Sequence, residues 1–186
     1  MAMPRAAHRF TVDEYHRMGQ AGVFHEDDRV ELIDGQVVEM TPIGPEHAGC
    51  VAALTRLLSY LVGDQAVVWV QNPVSLSEWA EPQPDVAVLA PRPDGYRTAH
   101  PSPGDILLLI EVAASSWEHD RDVKVPLYAA AGVPEVWLVD LAGDAIAVYR
   151  DPGPAGYATL RIARRGVTLR ALQLPNVALL VDDILG

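Results

Sequence analysis

Three residues of this chain are of the right types, and at the right positions, to do chemistry together. Glu111 is the only charged residue in the apolar run 106–112, and Asp85 opens another apolar run, 85–89. Lys124 follows thirteen residues after Glu111. Burying an ionised carboxylate without a partner is very costly, so each acid needs a metal ion, another cation or a network of hydrogen bonds. The three residues therefore predict a charged site built on buried strands.

A divalent metal ion is one way to satisfy both acids. If their strands are neighbours, Asp85 and Glu111 converge on one cation. Mg²⁺ suits them because it takes hard oxygen ligands and keeps several waters, and Mn²⁺ is a possible substitute. Phosphodiester hydrolysis uses such a metal to polarise the phosphate and activate a water. The alternative is structural: Asp85 caps a turn after Pro84, and Glu111 pairs with an arginine in the core. For either acid alone both interpretations stay open.

Lys124 is the only lysine among fourteen basic residues. Asp120, Lys124 and Tyr128 are spaced to lie along one face of a helix. A surface ion pair between Asp120 and Lys124 is the simpler explanation, and it would contribute only about 0.3–0.5 kcal/mol. A lysine is nevertheless a compact, flexible charge that burial can tune and that can orient or activate a water. The chain uses arginine almost everywhere else, which favours a specific role for Lys124.

Two further residues are candidates for the same site. Glu31 alternates along its predicted strand onto the same side as Ile33, so it either reaches the site or lies at a solvated sheet edge. His47 heads the apolar stripe of the next predicted helix. A histidine in that position is more often a satisfied core or helix-terminal residue than a catalyst. The other histidines show no metal-ligand spacing.

The composition limits the class of protein. The 186 residues, 49% of them hydrophobic, suit a single domain over 1–186, with residues 1–9 expected to be flexible. One cysteine excludes an internal disulfide framework and a cysteine zinc cluster. We find no signal peptide and no apolar run near the roughly 20 residues of a membrane span, so we expect a soluble, cytoplasmic protein without membrane contact. The net charge of −11 argues against a broad electrostatic grip on DNA. It does not exclude a nuclease, because bound cations supply local positive charge.

The hydrophobic patterns predict an alternation of helices and strands. Thr11 and Glu14 form a capping box that starts a helix running to about residue 18, and 29–40 reads as a hairpin that turns at Asp34-Gly35. The other predicted elements are helices at 46–62 and 117–131 and strands at 66–71, 74–76, 85–89, 106–112, 135–140 and 145–150, followed by short strands and turns. This order predicts a mixed sheet flanked by helices, in the α/β or α+β class.

A set of motifs follows one another along nearly the whole chain. They are Glu31-Leu-Ile-Asp34-Gly35, His47, Pro84-Asp85-Val-Ala-Val, Glu111-Val-Ala, Ser115-Ser116, Asp120, Lys124, Tyr128 and Gly132-Val-Pro-Glu135-Val-Trp-Leu-Val-Asp140. In this order they resemble the Uma family of putative restriction endonucleases, a domain of unknown function within the PD-(D/E)xK nuclease superfamily. The resemblance covers about residues 10–185, and the stretch 111–140 is its most specific part.

The resemblance implies a fold and a set of site residues. The fold is restriction-endonuclease-like, with a mixed central β-sheet flanked by helices. The implied residues are the metal ligands Asp85, Glu111 and the carbonyl of Val112, the further acid Glu31, the lysine Lys124, and the supporting residues His47, Asp120 and Tyr128.

The chain departs from the superfamily pattern at two positions. Ala113 stands two residues after Glu111, where the superfamily carries its lysine, and Ala114 stands where many relatives carry Asp. The main hypothesis is a Mg²⁺-dependent DNA endonuclease, expected to act as a homodimer through apolar surface in its C-terminal strands. The alternative is a catalytically weakened nuclease-fold protein that acts in binding or partner assembly. Hydrolysis of another phosphate ester is a third hypothesis.

Overall fold

A six-stranded mixed sheet forms the centre of the molecule, in a computed structural model that describes residues 7–25 and 27–186. Residues 1–6 of the segment 1–9, which was expected to be flexible, lie outside the described residues. The strands, listed in their order across the sheet, are β3 (Val67–Val70), β4 (Val86–Leu89), β5 (Ile106–Ala113), β6 (Glu135–Asp140), β7 (Ala145–Gly153) and β8 (Gly156–Arg164). β5 and β6 are parallel, and the other neighbours in this sheet are antiparallel.

Two small hairpins stand beside the main sheet. β1 (Val30–Ile33) pairs with β2 (Gln36–Glu39), as predicted, and β9 (Thr168–Arg170) pairs with β10 (Ala178–Leu180). The first hairpin turns at Asp34 and Gly35, whose φ angles are 48° and 77°. Two consecutive positive φ angles are what a tight two-residue hairpin requires, and Asp-Gly tolerates them. The turn therefore fixes the register that puts Leu32 and Glu31 into the protein.

Five α-helices occur among the described residues. They are α1 (Val12–Gln20), α2 (Pro45–Val62), α3 (Trp117–His119), α4 (Val125–Ala130) and α5 (Val181–Leu185), with a π-helical turn at Asp120–Lys124 between α3 and α4 and short 3₁₀ turns at Gly63–Gln65 and Pro103–Asp105. The predicted capping box of Thr11 and Glu14 is confirmed at the start of α1. In the part of the chain that is described, none of the helices combines the length and the apolar character that crossing a bilayer requires.

The core has one compartment on each side of the sheet. On one side α2 packs through Leu54 and Leu58 against alternate residues of the strands, and α5 and the β9–β10 hairpin complete this layer. On the other side α4 packs through Val125 and Tyr128. Strand β5 is buried along both faces, as expected of a central strand covered by helices.

Three local predictions are wrong. Residues 74–76 are not a strand, because Val74 and Leu76 donate their backbone N–H groups to the carbonyls of Pro82 and Ala80 within a local loop. Residues 181–185 form α5 instead of a strand or turn. The predicted uninterrupted helix 117–131 contains the π-helical turn.

Candidate active site

A cleft of about 250 Å³ opens where β4 begins and β5 ends. The β1–β2 hairpin, the start of α2 and the segment 114–124 form its walls. Seven of the eight residues predicted for the site lie in its lining: Glu31, His47, Asp85, Glu111, Val112, Asp120 and Lys124. The eighth, Tyr128, lies beneath it and is fully buried.

The strand register brings the two predicted metal ligands together. β4 and β5 are antiparallel neighbours with Val86 opposite Ile110, so Asp85 and Glu111 come next in line. The Asp85 N–H donates to Glu111 Oε2 at 3.3 Å, and the Val112 N–H donates to Asp85 Oδ2 at 2.9 Å. Each carboxylate is therefore held by the backbone of the other strand. Asp85 does not act as a simple turn cap, and Glu111 has no arginine partner among the described residues.

Lys124 lies between two acids in the interior. Its Nζ is 3.1 Å from Glu31 Oε1 and 3.4 Å from Glu111 Oε1, and the residue is only 6% exposed. A surface ion pair with Asp120 is thus the wrong interpretation, since Asp120 accepts instead from the Ser116 hydroxyl at 2.5 Å. The solvated-edge interpretation of Glu31 is also wrong, because this residue is 3% exposed.

The helix that carries Lys124 changes its winding at the site. The π-helical turn Asp120–Lys124 ends two residues before Pro126. A proline inside a helix has no N–H to donate and clashes with the carbonyl of the preceding turn, so the helix widens ahead of it. Single π-helical turns occur frequently at functional sites. Here the widened turn holds both Asp120 and Lys124 in the cleft wall.

Burial and crowding of charge set the protonation of the site. Burial raises the pKa of Glu111 to about 8, against the opposing effect of the Lys124 ammonium, and the nearby carboxylates of Asp85 and Asp120 raise it further. Burial alone would lower the pKa of Lys124, but the carboxylates of Glu111, Glu31 and Asp120 outweigh it and raise that pKa. Burial also raises the pKa of Asp120. Without a further cation, the site favours a protonated Glu111 and a firmly charged Lys124.

Tyr128 and His47 support the two strand acids. The Tyr128 hydroxyl donates to Glu111 Oε1 at 2.5 Å, and burial followed by the charge of Glu111 raises the pKa of Tyr128 well above its ordinary value. His47 Nε2 lies 3.0 Å from Asp85 Oδ2. His47 Nδ1 is buried and has no hydrogen-bond partner among the described residues. His47 is therefore not a satisfied core residue, but it does lie in the first turn of α2, as the helix-terminal interpretation expected.

The donor set of the cleft fits a hard divalent cation. Five carboxylates line it, those of Glu31, Glu39, Asp85, Glu111 and Asp120, and Lys124 is the ammonium among them. Oxygen ligands of this kind are those that Mg²⁺ and Mn²⁺ accept. A cation bound there would favour the charged form of Glu111, which burial disfavours. Val112 borders the cleft, and the part of its carbonyl as a third ligand stays a prediction.

The two alanines that break the superfamily pattern have different surroundings. Ala113 is 1% exposed and packs in the same core compartment as Val125 and Tyr128. Its side chain lies on the same side of β5 as that of Glu111, which precedes it by two residues. The helical segment that covers this side carries Lys124, so the lysine contacts Glu111 from the π-helical turn that follows β5 in the chain. Ala114 is exposed in the cleft, and the carboxylate of Asp120 lies in the same lining.

Sequence reasoning missed three polar residues that hold the acids in place. The Gln83 N–H donates to Glu31 Oε2 at 3.0 Å, and Gln71 Nε2 donates to Asp85 Oδ1 at 3.3 Å. Ser116 holds Asp120. The sequence could have indicated Gln83, because it lies two residues before Asp85 in an extended segment flanked by prolines. Gln71 gave none, because its side chain reaches Asp85 only through the pairing of β3 with β4.

Comparisons with known proteins identify the family and the fold of the chain. The profile of the Uma2 family, described as "Putative restriction endonuclease", matches residues 12–182. No curated protein matches the chain. The crystal structure of a putative nuclease belonging to DUF820 from Anabaena variabilis ATCC 29413 is similar, with a TM-score of 0.72 and 14% sequence identity over 95% of this chain and 97% of that chain. The likeness confirms the predicted nuclease-like fold, and the profile match shows that the chain belongs to the Uma2 family.

Proposed function

We propose that this protein is a Mg²⁺-dependent DNA endonuclease that hydrolyses phosphodiester bonds. The observation that carries the proposal is the burial of the Lys124 ammonium between Glu31 and Glu111, in a cleft that also holds Asp85. A site with this composition has no evident structural purpose, because burying several carboxylates around one ammonium costs stability. Membership of the Uma2 family supports nuclease chemistry.

Asp85, Glu111 and the Val112 carbonyl would hold the metal, with Mn²⁺ as a substitute for Mg²⁺. When bound, the cation supplies positive charge that polarises the phosphate and favours ionisation of water. Asp85 is oriented for this task by the Val112 N–H and by His47. Glu111 is oriented by Tyr128 and by the Asp85 N–H. These contacts fix the acids before any ligand arrives, which is the preorganisation a metal site needs.

Lys124 acts as a hydrogen-bond donor in this proposal. The carboxylates around it raise its pKa, so the amine is charged at neutral pH. A charged amine orients the attacking water and stabilises negative charge on the phosphate. Glu31 anchors the amine from the hairpin, and Gln83 anchors Glu31 in turn. Two elements remote in sequence therefore position one donor.

The acidic charge of the chain fits a weak grip on DNA. With a net charge of −11, phosphates are repelled over much of the surface. Besides Lys124 and His47, the basic residues of the cleft lining are Arg29 and His119. Attraction of DNA would then depend mainly on the bound cation. We expect little sequence specificity and a strong dependence of cleavage on the concentration of Mg²⁺.

We further propose that two copies pair through the edge strand β8. This strand ends the six-stranded sheet and leaves Leu160 55% and Ile162 49% exposed. A dimer would place one site against each DNA strand. Sedimentation velocity tests the pairing: we expect a dimer for the wild type and a monomer for Leu160→Glu. A monomeric wild type would refute it.

Cleavage of plasmid DNA tests the proposed function. Supercoiled plasmid is incubated with wild-type protein and Mg²⁺ or Mn²⁺, with EDTA controls and Glu111→Ala purified in parallel. We expect metal-dependent nicking by the wild type and none by the variant. Equal background nicking by both proteins would refute the proposal. A screen of other phosphate esters then distinguishes a different phosphodiesterase from a protein that only binds.

A further inference from the structure

A second cluster of metal-binding side chains lies outside the cleft. One ligand atom each from His16, Glu81 and His100 lies within 4.8 Å of the others. His16 Nε2 is 2.6 Å from Glu81 Oε1, and the centroids of the His16 and His100 rings are 6.2 Å apart. These three residues come from α1, from the segment before β4 and from the long loop 91–104. Their wide separation in sequence is why no ligand spacing was visible.

Glu81 is the anchor of this cluster. It is only 3% exposed, and its ion-pair partner among the described residues is His16. Neither a lysine nor an arginine lies within ion-pair distance of it in the described part of the chain. A buried carboxylate that lacks such a partner needs another source of positive charge. Because the side chain of His16 is 42% exposed, a cation from solution can reach the cluster and supply that charge.

Backbone hydrogen bonds hold the first two ligands in place. The Val12 N–H at the start of α1 donates to the Glu78 carbonyl at 2.8 Å, which fixes the helix that carries His16. The Glu81 N–H donates to the Leu32 carbonyl at 2.8 Å. Glu81 is therefore attached to β1, and α1 is attached to the segment that carries Glu81.

The third ligand sits between two fixed residues of its loop. Arg92 Nη2 donates to the Ala99 carbonyl at 2.6 Å. The Ser75 N–H donates to the Pro101 carbonyl at 2.8 Å. His100 is thus held by backbone contacts on both sides although it belongs to a long loop. Its imidazole already lies near the other two ligands, so the loop need not rearrange to bind an ion.

We propose that His16, Glu81 and His100 bind one divalent transition-metal ion of the zinc class, separate from the magnesium cleft. Two imidazole nitrogens and one carboxylate oxygen are a donor set of three-ligand zinc sites that leave a fourth position for water. Imidazole favours zinc over magnesium, whereas the cleft offers carboxylates that favour magnesium. The ion replaces the proton between His16 Nε2 and Glu81 Oε1, because the ligating imidazole must be deprotonated. The bound ion ties α1 and the loop 91–104 to the segment paired with β1.

Calorimetric titration with Zn²⁺, in excess Mg²⁺ to occupy the cleft, tests the site directly. We expect one Zn²⁺ per chain for the wild type and affinity at least about 10-fold weaker for His16→Ala and for His100→Ala. His25→Ala, an exposed histidine elsewhere, is the matched control and should bind like the wild type. Wild-type titration without a Zn²⁺ site, or unchanged affinity in both His16→Ala and His100→Ala, would overturn the proposal.

Thermal unfolding gives a second readout that does not depend on nuclease activity. An ion that binds only the folded chain raises its Tm, by roughly 5–10 °C when the free ion concentration is about a hundred times the Kd. We expect this rise in the wild type and in His25→Ala, and its loss in the double variant of His16→Ala and His100→Ala. Both substituted side chains are at the surface of the cluster, so the double variant should fold. An equal rise in the double variant would contradict the assignment.

Discussion

Glu111 and Glu135 are both buried glutamates on neighbouring central strands, yet their surroundings differ. Glu135 is fully buried and accepts from the Arg150 guanidinium at 2.6 and 2.9 Å, from Trp137 Nε1 at 2.8 Å and from the Leu172 N–H at 2.6 Å. Each of its oxygens is satisfied by an arginine or a fixed donor. Glu111 shares one ammonium with Glu31, and Asp85 and Asp120 stand nearby.

The difference distinguishes the structural role of Glu135 from the functional role proposed for Glu111. Glu135 joins β6, β7 and the segment after β9 through a complete set of hydrogen bonds, so no ligand is needed. The Glu111 site holds more negative than positive charge, and burial raises the pKa of Glu111 to about 8. A buried site that is incompletely neutralised is a candidate for binding or catalysis. The comparison thus supports a structural role for Glu135 and the catalytic role proposed for Glu111.

Substitution of the strand acids should give the largest effect. Glu111→Gln and Asp85→Asn remove a metal-binding charge while keeping shape, so we expect nicking rates to fall by roughly 10³-fold or more. Glu135→Gln should leave the rate per folded molecule nearly unchanged. Plasmid nicking at saturating Mg²⁺, with circular dichroism to count folded protein, makes the comparison. Equal losses for Glu111→Gln and Glu135→Gln would abolish the distinction.

Stability should respond in the opposite order. Glu135→Ala leaves the Trp137 and Leu172 donors unpaired and strips Arg150 of its partner, so we expect the free energy of unfolding to fall by about 2–4 kcal/mol. Glu111→Gln in metal-free protein should change it by less than about 1 kcal/mol, because the Glu111 carboxyl, with its pKa raised to about 8, is already mostly protonated at pH 7.5 and Gln keeps its shape. Urea denaturation at pH 7.5 measures both. A larger loss for Glu111→Gln than for Glu135→Ala would contradict the account.

The geometry around Lys124 should not accept an arginine. The planar guanidinium is larger than the ammonium and cannot replace it between Glu31 and Glu111 at the observed distances. We expect Lys124→Arg to lower the nicking rate roughly 10–100-fold. Arg121→Lys, the reverse change at an exposed position of the same π-helical turn, is the control and should retain the rate. Full activity in Lys124→Arg would show that any cation suffices.

The pH dependence of stability should report the raised pKa of Glu111. Its carboxyl keeps a proton to about pH 8 when folded, against an ordinary value of 4.5, so the folded chain holds more protons between these values. Stability is then fully present below about pH 4.5 and decreases as pH rises through 8, by roughly 1–3 kcal/mol in metal-free protein. Asp120 contributes with the same sign. Urea denaturation across this range measures the slope.

Two controls sharpen the pH experiment. Glu111→Gln should flatten the slope because the titrating group is gone. Saturating Mg²⁺ should flatten it in the wild type because the cation takes the place of the proton. A slope that is the same in the wild type and in Glu111→Gln would assign the titration to another group.

The sequence predicted the main elements because their patterns are local. The Asp34-Gly35 turn, the Thr11 capping box and the apolar run 106–110 are each recognisable from a few neighbouring residues. Residues 74–76 misled the prediction because alternate burial there comes from a loop that pairs with itself. Pro126 could have indicated the π-helical turn. The spacing of Asp120, Lys124 and Tyr128 favoured an uninterrupted α-helix instead.

The composition of the candidate site was predictable, but its contacts were not. Asp85, Glu111 and Lys124 were visible as charges out of place in apolar surroundings or as a lone residue type. The burial of Lys124 against Glu31 depends on how the β1–β2 hairpin meets the π-helical turn, which no local pattern encodes. The cluster of His16, Glu81 and His100 was invisible for the same reason.

The most direct test of the account is the position of a bound metal ion. A crystal soaked in Mn²⁺ allows the ion to be located by its anomalous scattering. We predict a peak in contact with carboxylate oxygens of Asp85 and Glu111 and with the Val112 carbonyl, beside the Lys124 amine, and no peak at Glu135. A soaked crystal with an open cleft and no peak between Asp85 and Glu111 would contradict the claim that these acids form a metal site.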